Sequence, residues 1–107
     1  MERRTNNRYQ LGVPMVFAWH DANDVRRQAV GLTRDISVRG AFTFTVSPPP
    51  LDAIVQFECF FPPVRGTSQS LRMHGQGQVV RVVAHNGETG GGFAIASKRL
   101  ALQRGEE

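Results

Sequence analysis

Apolar and polar positions alternate with a period of two along nearly all of this chain, the spacing of strands rather than helices. Leu11, Val13, Met15, Phe17 and Trp19 alternate with Gly12, Pro14, Val16 and Ala18, giving a first strand with one heavy apolar face. The polar stretch from His20 to Asp24 reads as a turn. Over residues 26–36, Val30, Leu32 and Ile36 fall on one parity, read as the core face, and Thr33, Asp35 and Ser37 on the other. Gly40 interrupts the chain, and Phe42, Phe44 and Val46 then alternate with Ala41, Thr43 and Thr45. Here too the aromatic parity is read as the buried one.

The run Ser47, Pro48, Pro49, Pro50 cannot sit inside a sheet and is a loop. Val55, Phe57, Cys59 and Phe61 supply the next core face, which stops at Pro62 and Pro63. Residues 65–69 read as a polar loop. A long strand follows over residues 71–83, where Gly75 and Gly77 suggest a bulge and leave the parity open. Asn86 and Gly87 form a hairpin signal, and Phe93 and Ile95 mark the last strand. Residues 97–107 read as a tail or a short helix with Ser97 as N-cap, although Leu100 and Leu102 do not make a helical stripe. The sum is an all-β domain of six strands with short turns, the pattern of a closed or nearly closed antiparallel barrel. One residue breaks the scheme: Arg34 falls on the parity assigned to the core.

A chain of 107 residues, 40% of them hydrophobic, can bury a core without disulfides or metal and forms one domain. Cys59 has no partner and reads as a small buried apolar residue in a reducing compartment. No segment approaches the roughly 20 apolar residues of a membrane span, and residues 1–10 lack the apolar run of a signal peptide. The expectation is a cytoplasmic protein without membrane insertion. His20, His74 and His85 lack metal spacing, and the glycine-rich run from Gly87 to Gly92 lacks the ending of a phosphate-binding loop. Nothing resembles a catalytic constellation, so neither enzyme activity nor a cofactor is expected.

The charge is more informative. The net charge is +4, and twelve of the thirteen basic residues are arginine. Arginine forks suit phosphates and guanine edges. Arg4 and Arg8, with three residues between them, form RxxxR, and Asp35, Ser37 and Gly40 form DxSxxG. Taken singly, the arginines read as a solvated terminus and the Asp–Ser–Gly run as turn formers. Together, and in this order ahead of a β-rich chain, they resemble the signature of the PilZ domain, a bacterial receptor module for cyclic di-GMP. The resemblance spans about residues 3–96 and implies a six-stranded antiparallel β-barrel. The barrel itself would be residues 11–96, preceded by a mobile arginine segment over residues 1–10.

The chemistry of the motifs suits that ligand, which carries two phosphates and two guanines. An arginine fork matches either a phosphate or the O6/N7 edge of guanine, and its flat face stacks on purines. A carboxylate only accepts, so Asp35 suits the N1–H and N2–H₂ edge, with the Ser37 hydroxyl beside it. Gly40 can take a positive φ and lets a flat base approach the backbone. Arg39 lies inside the second motif and adds a further cation. The resemblance implies that an arginine at Arg3, directly before the pair, accompanies binding of two intercalated ligand molecules. It also implies a receptor whose N-terminal segment orders over the barrel and which signals to a separate output protein. Two alternatives stand beside it. One is a PilZ-like interaction module that binds no nucleotide. The other is a basic barrel for single-stranded nucleic acid, disfavoured because most phenylalanines other than Phe60 take the inward parity.

Overall fold

Six strands carry the alternation: β1 (Tyr9–His20), β2 (Arg26–Ser37), β3 (Gly40–Phe44), β4 (Ile54–Phe61), β5 (Leu71–Val83) and β6 (Gly92–Arg104). The computed structural model describes residues 9–37, 39–63, 70–84 and 90–104. The strands close into an antiparallel barrel in the order β1-β2-β3-β6-β5-β4, so the all-β, six-stranded barrel expected from sequence is what the chain forms. Two meanders, β1–β2–β3 and β4–β5–β6, are sealed along β3–β6 and β1–β4. The link from β3 to β4 must pass two intervening strands. The proline-rich loop provides it, with Pro49 fully buried and Asp52 N–H donating to the Val79 carbonyl. Among the described residues no helix is long and apolar enough to cross a membrane.

The interior follows the sequence reading on β1, β4 and β6. Val13, Met15 and Phe17 face Val55, Phe57, Cys59, Phe93 and Ile95 in one cluster. Phe17 stacks on Trp19 at 5.8 Å and meets Phe93 edge-on at 4.8 Å. Cys59 is buried, as expected, and burial pushes its thiol above the ordinary value.

On β2 and β3 the inward parity is the reverse of the expected one. Val30 is 68% exposed, Leu32 49%, Phe44 39% and Val46 85%, whereas Thr33 and Thr43 are fully buried. Volume explains the reversal. Phe17 lies opposite Ala29 and Met15 opposite Gly31 on the β1–β2 ladder, and Thr43 lies opposite Phe93 on β3–β6. A six-stranded barrel has little room inside, so large residues on one strand require small ones on the next. The buried hydroxyls find sulfur partners: Thr33 Oγ1 lies 3.7 Å from Cys59 Sγ, and Thr43 Oγ1 donates to Met15 Sδ at 3.4 Å. Packing the apolar set inside instead would overfill the barrel.

A bulge between Thr33 and Asp35 restores the expected parity, which returns Ile36 to the core and leaves Asp35 and Ser37 outside. Arg34 sits at this bulge, which removes its conflict with the core face. On β5 the expected irregularity occurs between Gln76 and Gly77, and a second follows between Val79 and Arg81. Residues 97–104 form no helix. They continue β6 and pair with β5 through to Leu71↔Arg104. Leu100 and Leu102 recur at two, a strand spacing, and the first half of β5 requires this partner for its backbone. The expected loop at residues 65–69 and the Asn86–Gly87 turn lie outside the described residues.

The β1–β2 turn is organised by Asp21. Its Oδ1 accepts from the Asn23 and Val25 N–H groups, both at 2.9 Å, and its Oδ2 from Arg27 Nε at 2.8 Å. Asp24 supplies the left-handed residue, with φ 62°. The Val25 hydrogen bond first, and then Arg27, hold the Asp21 carboxyl below its ordinary 3.8. A depressed folded-state value adds stability that is present above the unfolded value and lost as pH falls through the folded one. Asp21→Asn should therefore melt below the parent at neutral pH, and the two melting curves should converge once pH falls well below 3.8.

Candidate functional site

The outer face of β2–β3–β6–β5 gathers the second motif into two rows set by strand register. One row runs Asp35, Phe42, Ala94, Arg81, and the next runs Ser37, Gly40, Ala96, Gln78. Asp35 and Ser37 are two apart on β2 beyond the bulge, so both leave the same face, while Ile36 between them packs inward. The inward Ile36 anchors the backbone that carries both polar groups, as a preformed site requires.

Asp35 is largely buried at its side chain, 13% exposed, and accepts from Arg34 Nε at 2.7 Å. Ser37 Oγ accepts from the Arg39 N–H at 3.2 Å. This is the turn-forming role that a serine two residues before an amide takes, and it leaves the hydroxyl proton to donate elsewhere. Arg39 is exposed at the β2–β3 connection, and its carbonyl accepts from the Ser97 N–H at 2.8 Å. The face thus brings Asp35, Ser37, Arg39 and Gly40 together.

The structure shows a steric reason for Gly40 rather than the expected positive φ. Its φ lies outside the left-handed region, and a Cβ built there would fall 1.9 Å from the Ile95 carbonyl oxygen. The missing side chain admits the backbone of β6. Gly92, one strand over, is tight for the same reason, with its Cβ position 2.2 Å from the Thr43 carbonyl oxygen.

Arg3, Arg4 and Arg8 lie outside the described residues, as does Val38. The register of their continuation is nevertheless informative. β1 begins with Tyr9 paired to Ile36 and Gln10 paired to Asp35. The chain therefore enters the barrel alongside the DxS triplet, and Arg8 is the residue directly before that entry.

The face also holds residues that the sequence reading missed. Phe42 is on the outside of β3 yet only 5% exposed, because other side chains cover it. The Arg34 guanidinium carbon lies 4.3 Å and that of Arg81 5.7 Å from its ring centre, and Phe44 meets it edge-on at 5.4 Å. The signal available for Arg34 was its misfit parity. Phe42 was assigned inward, and Arg81 lay on a strand of open parity. With Phe44 exposed, the outer surface carries more aromatic area than expected, which weakens the case against single-stranded nucleic acid.

Grooves also lie away from the motif. One of about 490 Å³, bordered by Arg26, Gln56, Glu58 and His74, runs over β2, β1, β4 and β5. None of the described motif residues lines it. Another, of about 400 Å³, is apolar, lined by Val30, Leu32, Phe44 and Val46, and adjoins the Asp35 face along β2 and β3. No protein-family model matches this chain, and no curated protein or solved structure was found to match it.

Proposed function

We propose that the protein is a PilZ-like receptor for cyclic di-GMP, acting without catalysis and passing its signal to a separate output protein in the cytoplasm. One observation carries the reading: Asp35 and Ser37 share an outer face, and β1, whose first residue Tyr9 follows Arg8 in the sequence, starts paired to the same triplet. A guanine stacked there would offer its N1–H and N2–H₂ groups to Asp35, while the arginine forks take phosphate or the O6/N7 edge. Arg3 ahead of the pair supports two intercalated ligands, whose four phosphates need more cations than one ligand does.

Calorimetric titration tests this. Cyclic di-GMP should bind and saturate near two ligands per chain, falling toward one in Arg3→Ala, while GMP and a short oligonucleotide give little heat. Binding should weaken as salt rises, because charge neutralisation contributes to it. No binding at any salt contradicts the reading, and saturation at one contradicts only the paired ligand.

A second reading, an interaction module without nucleotide, is favoured by the exposed Val30, Leu32, Phe44 and Val46. Under it the titration gives no heat with any nucleotide.

A further inference from the structure

The Phe42 cluster has a surplus of cationic capacity that the packing does not use. Arg34 bonds Asp35 through Nε, and among the described residues neither of its terminal nitrogens has a hydrogen bond. Arg81, exposed on β5, makes no ion pair or hydrogen bond among them. Yet both guanidinium groups lean onto one ring, at 4.3 Å and 5.7 Å from its centre. Stacking on an aromatic face fixes an arginine's plane while its N–H edge stays available, which preorganises it for an anion. Fewer rotamers then need to be frozen when a ligand arrives.

The ground between Phe42 and Arg81 is low. Asp35 and Arg81 stand three strands apart in one row, on the order of 14 Å at the backbone. The outward positions between them on β6 are Gly92, Ala94 and Ala96, so no large side chain rises from β6 at these positions. Arg81 crosses Ala94 to reach Phe42. A dinucleotide with one guanine against Asp35 has the span to place a phosphate over this low floor.

We infer that Arg34 and Arg81, held on Phe42, form a second anion-binding pair on this face that takes a phosphate of the bound cyclic dinucleotide. The inference rests on the cyclic di-GMP reading and extends it to residues outside both motifs. Arg81 is the cleaner member for a test, because Arg34 also orients Asp35.

The bland role for Arg81 is to shield Phe42 from water, and Arg81→Met separates the two. The methionine keeps an apolar cover on the ring and removes the charge. Calorimetric titration with cyclic di-GMP at low and high salt, with a thermal melt of each protein, should show about tenfold weaker binding. The dependence on salt should be shallower than the parent's and the melting temperature close to it. Arg81→Lys should recover part of the loss, since it restores the charge without the fork. Parent-like affinity and salt dependence in Arg81→Met overturn the inference. If the parent binds and Asp35→Ala weakens it while Arg81→Met does not, only this inference falls. If the parent does not bind at all, the receptor reading falls with it.

Discussion

Asp35→Ala should weaken cyclic di-GMP binding by about 10- to 100-fold, the loss of charge-assisted hydrogen bonds worth ~1.5–3 kcal/mol. Its melting temperature should stay near the parent's. The two effects separate because of where Asp35 sits. Its side chain is on the outer face, and its ion-pair partner Arg34 is 40% exposed at the side chain. Asp35 is itself only 13% exposed, but the charge left behind on Arg34 reaches solvent, so the loss of stability should be about 1 kcal/mol. Arg34 also retains its contact with Phe42 once the carboxylate is gone. Arg8→Ala should weaken binding by a similar factor, since it removes a fork that suits phosphate and guanine alike. Titration of both variants against the parent decides the matter. If both bind like the parent, the ligand site is elsewhere.

Gly40→Ala should cost about 3 kcal/mol of stability, at the upper end of the usual penalty for overpacking. A Cβ at Gly40 would fall 1.9 Å from the Ile95 oxygen and 3.0 Å from the carbonyl carbon. These are backbone atoms of the neighbouring strand, so no rotamer change relieves the clash. β3 and β6 must separate along one of the two seams that close the barrel. In a domain of this size such a loss lowers the melting temperature by on the order of 10 °C or more. Gly12→Ala is the matched control, because among the described residues nothing lies within 4 Å of its Cβ position. It should change stability by no more than about 0.5 kcal/mol. Chemical denaturation of the two variants checks both figures. A Gly40→Ala protein as stable as the parent would mean that β3 and β6 are not so close.

The barrel was legible in the sequence because a strand period of two survives any uncertainty about which face is buried. Strand count, the proline loop and the bulge near Gly77 all follow from local rules. The buried face of β2 and β3 was not legible from hydrophobicity. Thr33 and Thr43 are inside because Val13 and Phe93 lie opposite them, a pairing that depends on register. The error placed Phe42 and Phe44 in the core instead of on the outer face, and so hid the surroundings of Asp35. Asp35 and Ser37 were read correctly as sharing an outer face, since the bulge at Arg34 shifts the parity ahead of them. Arg81 could not have been joined to them from sequence, because three strand pairings separate it from Asp35. The role of Gly40 was invisible for the same reason: its constraint comes from Ile95, 55 positions away.

The central claim is that cyclic di-GMP binds on the outer face of β2, β3, β6 and β5. Backbone amide shifts in two-dimensional ¹H–¹⁵N NMR, followed through a titration with cyclic di-GMP, address it most directly. The largest changes should fall on Asp35, Ser37, Arg39, Gly40, Ala94 and Arg81, with the amides of Gln56, Glu58 and His74 on the opposite groove unmoved. Changes centred on Gln56, Glu58 and His74, or no changes at saturating ligand, would contradict it.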